Sequence, residues 1–159
     1  KCMKQVLFAL SRKSQVFLRL KGKDKILLLE AFVLTGLFRM IILFMPFSKY
    51  KKHIGIYKKE SSYQMAENKY TVIKKISWAV VTVSRYTPWE SKCLVQALAA
   101  QAMLKRRKID STLYLGVNKG EKNRIIAHAW LRSGHLIVTG KEGNGEFVEV
   151  ARFAVVCCD

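Results

Sequence analysis

Residues 87–108 read TPWESKCLVQALAAQAMLKRRK, and this stretch decides the fold class because it joins one cysteine to a strongly helical run. The segment Leu94–Lys108 contains no glycine or proline and is rich in alanine and leucine, which have high helix propensity. If Ser91 is the N-cap, Cys93 lies in the first turn of the helix. If Thr87 opens a capping box, Cys93 lies in the second turn. Both starts stay open, because a short turn could precede the main helix.

A histidine follows on an alternating segment, Ile125–Leu131, whose sequence is IIAHAWL. Alternation predicts a strand on which His128 and Trp130 share one face. A cysteine at a helix start and a histidine on a later strand is the layout of a thiol nucleophile and its base, because both a helix N-terminus and an imidazolium favour the thiolate. Such partners are adjacent in the fold and distant in sequence. Cys93 and His128 are therefore the candidate catalytic pair.

Five blocks of the chain together resemble one known family. They are Cys93-Leu94, Gln96–Ala100, Leu104–Lys108, Leu113–Val117 and His128-Ala129-Trp130. The family is the lasso-peptide leader peptidases, which form the protease half of a split maturation protein. The resemblance extends upstream over Lys25–Phe47 and so covers most of the chain.

The resemblance implies a transglutaminase-like cysteine-protease core that removes the leader from a ribosomally made precursor peptide. It further implies two partners besides the precursor, a separate leader-binding recognition protein and an ATP-dependent cyclase that closes the lasso ring. The chain has no glycine-rich nucleotide loop, so the ATP chemistry is expected in another protein. No cofactor is expected.

The third catalytic position departs from that family, which often has an aspartate on the strand after the histidine. Thr139 is the best match here, and no carboxylate is near it on that strand. Either the hydroxyl of Thr139 orients the imidazole, or Glu146 or Glu149 supplies a charge from the next strand. The Cys93 backbone N–H is the natural oxyanion donor. The Trp89 indole is a second candidate donor, for which core packing is the more ordinary role.

The hydrophobic pattern predicts helices first and strands afterwards, which is the α+β class. N-terminal helices are expected to precede a catalytic helix packed on an antiparallel sheet, as in a transglutaminase-like or papain-like core. The predicted helices are Ile26–Phe47, ended by Pro46, and Tyr70–Arg85, and the predicted meander consists of Thr112–Val117, Asn123–Arg132, His135–Thr139 and Glu146–Val155. The predicted division is a basic helical region at residues 1–68, with a connector at 48–68, and a peptidase core at 69–159.

Positive charge is concentrated in the first half of the chain. Residues 1–85 hold 18 Lys and Arg against 4 Asp and Glu, whereas residues 86–159 hold 11 against 7. An acidic peptide or anionic lipid is a suitable partner for this half. Nucleic acid is not expected, because no nucleic-acid-binding module is recognisable.

The segment Ile26–Phe47 could span, lie on or stay away from a membrane. Its only charged residues are Glu30 and Arg39. A helix of this length covers roughly 33 Å, enough for a bilayer. Each charge costs about 2.5–3.5 kcal/mol near the bilayer centre, which favours a soluble helix or one resting on a membrane surface.

Four cysteines are present, and neither they nor the three histidines show zinc-ligand spacing. Adjacent Cys157 and Cys158 are poorly placed for a disulfide, so a reduced cytoplasmic compartment is expected, with membrane association possible through Ile26–Phe47. Two other functions stay open. One is a transglutaminase-like acyltransferase with the same thiol chemistry, and the other is a non-catalytic basic adaptor for a membrane or a protein.

Overall fold

The computed structural model of the protein describes residues 20–120, 124–141 and 146–157. Within these residues the chain forms four helices and five strands. In chain order they are α1 (Gly22–Phe44), α2 (Phe47–Ile54), β1 (Ile56–Tyr57), α3 (Glu67–Ser84), α4 (Cys93–Arg106), β2 (Ser111–Lys119), β3 (Ile125–Ser133), β4 (Leu136–Thr139) and β5 (Val148–Val155). This order confirms the predicted α+β class.

The sheet is antiparallel throughout, with strand order β1-β5-β2-β3-β4. The predicted meander is wrong in one respect, because β5 pairs with β2 and not with β4. The glycine-containing turns indicate where strands end, but they do not indicate which strand a later one joins. Here the chain after β4 crosses the sheet and returns beside β2.

Side chains of alternate strand residues give the sheet two different faces. Leu113 lies between Leu131 of β3 and Phe153 of β5, and all three are buried in the core formed with the helices. The opposite face carries Tyr114, whose ring stacks on that of Trp130 at 5.4 Å. Helices therefore cover one face, and an aromatic and charged layer lies on the other.

Helix α4 lies in the centre of the core. Ala97, Ala100 and Leu104 are fully buried on it. The small alanine side chains allow neighbouring elements of the core to approach the backbone of α4 closely. A larger residue at Ala97 or Ala100 would therefore not fit without displacing neighbouring elements.

The two helices predicted before α4 are confirmed, with α1 ending at Phe44. Met45 is extended, as expected for a residue that precedes a proline, and Pro46 is the N-cap of α2. The connector predicted over 48–68 is wrong, because this stretch contains most of α2 and all of β1. Tyr50 and Ile54, four residues apart, are the buried face of α2, and the surrounding lysines obscure that spacing in the sequence.

The charged residues of α1 are paired with the rest of the core. Glu30 bonds to Arg107 at 2.7 Å and to Arg106 at 3.1 Å, and Arg39 bonds to Glu90 at 3.1 Å. Burial opposes ionisation of Glu30, yet the two guanidinium groups hold its pKa below the usual value. The basic end of α4 therefore binds α1 in addition to lying at a helix C-terminus. Among the described residues, α1 alone is long and apolar enough to cross a membrane.

Candidate functional site

Cys93 is the first residue of α4, and its thiol is half-buried at the border of the core. The N-cap is Lys92, which makes no side-chain capping bond. Neither predicted N-cap is used, because the hydroxyls of Thr87 and Ser91 lie 2.9 Å apart and bond to each other. Since no side chain caps this turn, the Cys93 N–H remains available to an anionic oxygen.

The loop that leads into Cys93 is held by α1. Trp89 packs on Phe32 with ring centroids 4.8 Å apart. A Cβ added at Gly36 would lie 3.1 Å from the Trp89 ring, so a glycine is needed for this close approach. Glu90 completes the anchor by bonding to Arg39. The sequence gives no signal for this role of Gly36, because the glycine lies inside a long helical pattern.

The Trp89 side chain is half-buried and packs against α1, in line with the core-packing interpretation. Its indole Nε1 has no hydrogen-bond partner among the described residues. The ring is committed to contacts with α1, whereas the uncapped first turn of α4 is directly available at the cysteine. The Cys93 N–H is therefore the better supported oxyanion donor.

His128 is half-buried on β3, opposite Gly116 of β2. Its Nε2 lies 3.1 Å from the carbonyl oxygen of Gly140. The imidazole also contacts two aromatic rings, Trp130 at 6.1 Å and Phe147 at 4.9 Å between centroids. With the proton on Nε2, the ring donates to Gly140 and leaves Nδ1 unprotonated. The main-chain carbonyl and the two rings together fix the orientation of the imidazole.

Gly116 makes room for these rings. A Cβ at this position would lie 2.8 Å from the Trp130 side chain and 3.0 Å from that of Phe147. Such distances are too short for any other residue without displacement of the aromatic cluster. The contacts of Gly116, Phe147 and Gly140 with the histidine site are not apparent in the sequence, since each depends on pairing between distant segments.

From the lengths of α4 and β2, Cys93 and His128 are expected at the same end of the sheet. A short connection joins the C-terminus of α4 to the N-terminus of β2, and the chain reverses direction there. The N-terminus of α4 is therefore expected beside the C-terminal part of β2. Fourteen helical residues extend roughly 21 Å, and six strand residues from Ser111 extend roughly 20 Å, which reaches Gly116. Gly116 is the pairing partner of His128.

The two side chains do not meet in this structure. Ala129 and Leu131 lie in the core that α4 shares, so His128 alternates to the opposite face of the sheet. No hydrogen bond joins Cys93 to His128 within the described parts of the chain. Strand β4 pairs only with Leu131–Ser133, so the edge of β3 beside His128 lies beyond this pairing.

Among the described residues, none of the candidates for the third position is hydrogen-bonded to His128, although Glu149 and His128 both pair with Gly116 of β2. Thr139 pairs with Leu131 on the core face, and its buried hydroxyl has no hydrogen-bond partner among the described residues. Glu149 bonds to Arg152 at 2.6 Å, and Glu146 is exposed. The group that contacts the imidazole is thus the backbone carbonyl of Gly140, the residue directly after Thr139.

No metal centre is found in the residues that the structure describes, where no cluster of three histidine, cysteine or acidic side chains could hold an ion. A cavity of about 330 Å³ lies between α1, α2 and α4, and apolar side chains such as Phe38, Tyr50 and Leu98 line it. Neither Cys93 nor His128 lines this cavity. His135 is exposed, and its ring stacks on that of Tyr70 with centroids 6.3 Å apart.

Comparison with known proteins agrees with this arrangement. A family model described as the transglutaminase-like superfamily matches residues 47–152, which is more than half of the chain. No curated protein and no solved structure matches. That superfamily is generally enzymatic and includes cysteine proteases and acyl transferases. The helix start at Cys93, the antiparallel sheet and this match together show that the chain belongs to the transglutaminase-like superfamily.

Proposed function

We propose that the protein is a cysteine peptidase that removes the leader from a lasso-peptide precursor. The observation that carries the proposal is the position of Cys93, at an uncapped helix start in a transglutaminase-like chain. The resemblance of its Cys-Leu and His-Ala-Trp blocks to lasso-peptide leader peptidases supports the substrate class. The expected partners are the precursor, a leader-binding recognition protein and an ATP-dependent cyclase.

The proposed reaction uses the thiol of Cys93 as nucleophile and His128 as base. His128 takes the thiol proton, the sulfur attacks the scissile carbonyl, and the amide N–H at Cys93 stabilises the developing oxyanion. The C–N bond then breaks, and His128 returns its proton to the leaving amine. Water hydrolyses the remaining thioester, releasing the leader with a free carboxylate and restoring the thiol.

The reaction requires the imidazole to reach the thiol around the edge of β3. β4 pairs with Leu131–Ser133 and not with His128, and a turn of the imidazole towards the helix face would break its contact with the Gly140 carbonyl. The Gly140 contact involves one ring nitrogen, and the other is free to accept a proton. Binding of an extended substrate near this edge would favour the turned position.

Product mass tests the proposal against acyl transfer. The protein is incubated with a precursor and its leader-binding protein, with and without a small primary amine. The mass of the released leader is then measured by mass spectrometry. We expect a leader that ends in a free carboxylate whether or not the amine is present. A leader heavier than the free acid by the mass of the amine less one water would identify an acyltransferase, and an intact precursor would support the non-catalytic adaptor.

Replacing Thr139 tests the third position. We expect Thr139→Val to leave turnover within a few-fold of the wild type and to keep or slightly raise stability, because it removes a buried hydroxyl that has no partner. Glu149→Gln should be similarly mild. Cleavage rates and thermal midpoints of both variants provide the measurement. A loss in Thr139→Val as large as in His128→Ala would mean that this hydroxyl orients the imidazole during catalysis.

A further inference from the structure

Helix α1 carries an exposed apolar stripe along its whole length. It consists of Ile26, Leu29, Val33, Leu37, Met40 and Phe44, with exposed fractions between 51% and 75%. At 3.6 residues per turn these positions fall within an arc of about 80°. The opposite side of the same helix, represented by Leu27, Ala31 and Leu34, is buried in the core. The helix is therefore apolar on two sides for two different reasons.

The stripe is larger than ordinary surface exposure explains. Single exposed apolar residues are common, but a continuous band along about five turns of helix marks an interaction surface. The 23 residues of α1 extend roughly 34 Å. The band is straight and has no side chain that could form a hydrogen bond.

Contacts on the flanks of α1 prevent the helix from leaving the core to span a bilayer. Glu30 is bound by Arg107 at 2.7 Å and Arg39 is bound to Glu90 at 3.1 Å. A spanning helix would break both pairs and remove the buried face from α3 and α4. The stripe is available for a new partner while the fold stays intact.

Exposed lysines lie at both ends of the stripe, Lys21 and Lys23 before it and Lys49, Lys51 and Lys52 after it. No acidic residue lies within the arc of the stripe. A protein partner would typically meet polar groups with paired hydrogen bonds, which the stripe lacks. An apolar band bordered by cations matches instead the headgroup and acyl-chain boundary of an anionic bilayer.

We propose that α1 lies in the plane of an anionic membrane surface, with the exposed stripe buried among the upper acyl chains and the lysines at the lipid phosphates. The proposal is independent of the peptidase function, because it uses no residue of the Cys93 and His128 site. It makes the protein a peripheral membrane protein that docks through one helix while the core stays folded.

Flotation with phosphatidylcholine vesicles, with and without phosphatidylglycerol, tests the proposal in the full chain. We expect the wild type to float with the mixed vesicles, to bind more weakly as salt rises, and to be released by carbonate. Val33→Glu should weaken binding about tenfold or more, since it removes one buried valine and adds a charge.

Val150→Glu is the matched control, because Val33 and Val150 are both valines with an exposed fraction of 56%. It should bind like the wild type, and circular dichroism should show both variants folded. Absence of wild-type flotation at low salt, or equal loss in both variants, would overturn the proposal. So would carbonate-resistant binding, which indicates a spanning helix, or a wild-type dimer that Val33→Glu dissociates, which indicates a second copy on the stripe.

Discussion

Cys93→Ala is expected to reduce leader removal to the uncatalysed background, a loss of at least about 10³-fold, because the thioester cannot form without the sulfur. His128→Ala is expected to cause a loss of similar size, because the thiol then has no base and the leaving amine no acid. Single-turnover cleavage of the precursor, followed by mass, measures both. Cys93 and His128 are only half-buried, so both variants should keep the wild-type thermal midpoint closely.

The double variant sharpens this prediction. A nucleophile and its base act as a unit, so Cys93→Ala with His128→Ala should be little worse than either single change. If the fold-loss in cleavage rate of the double variant equals the product of the two single losses, the two residues act independently. Cleavage near the wild-type rate in His128→Ala would mean that another residue takes the proton, which would agree with the separation of the two side chains in this structure.

Arg132→Met is expected to lower the free energy of unfolding by about 3–5 kcal/mol. Arg132 is only 4% exposed. Its guanidinium donates to the carbonyl oxygens of Gly134 at 2.6 Å and Ser61 at 2.8 Å, and to the carboxylate of Glu60 at 3.1 Å. It also lies 3.8 Å from the Tyr63 ring centroid. Methionine fills the volume and leaves these acceptors without their donor.

Chemical denaturation of Arg132→Met and of Glu60→Gln measures the effect and its control. Glu60 is more exposed than Arg132, with 28% against 5% of the side chain accessible. Glu60→Gln should therefore lower the free energy of unfolding clearly less than Arg132→Met. A loss below about 1 kcal/mol in Arg132→Met would show that water replaces the network at little cost.

The same network predicts how stability depends on pH. The hydrogen bond from Tyr114 lowers the pKa of Glu60, with Tyr63, Arg132 and Arg152 adding to the effect against burial. A lowered pKa contributes stability that is present above the unfolded value, near 4.5, and is lost as pH falls through the folded value. Burial, and then the bond to Glu60, raises the pKa of Tyr114 to about 12, so its contribution is lost as pH rises above 10 towards 12. Glu60→Gln should flatten the acid side of the stability profile.

The sequence predicts local structure well wherever the apolar residues repeat at one regular spacing. The alternation around Ile126 and His128, and the three- and four-residue spacing around Ile73 and Ile76, correspond to β3 and α3 in the structure. Cys93 is likewise in the first turn of its helix, as one of the two predicted starts requires. These features depend on side chains close together in the chain, so the sequence contains the necessary information.

The sequence does not predict features that depend on contacts between distant segments. The pairing of β5 with β2 and the Gly36 contact with Trp89 each join parts of the chain more than thirty residues apart. The Gly140 carbonyl at His128 is a backbone contact, for which no side-chain type gives a signal. The roles of Thr139 and of the boundary between residues 68 and 69 stay predictions.

Site-mapped alkylation tests most directly whether Cys93 is an activated nucleophile. Cys93 and Cys157 are both half-buried, so Cys157 is an internal control for exposure. With limiting iodoacetamide near neutral pH, followed by peptide mapping, we expect Cys93 to be labelled first in the wild type and to lose this preference in His128→Ala. Labelling of Cys157 before Cys93, or an unchanged preference without His128, would contradict the account.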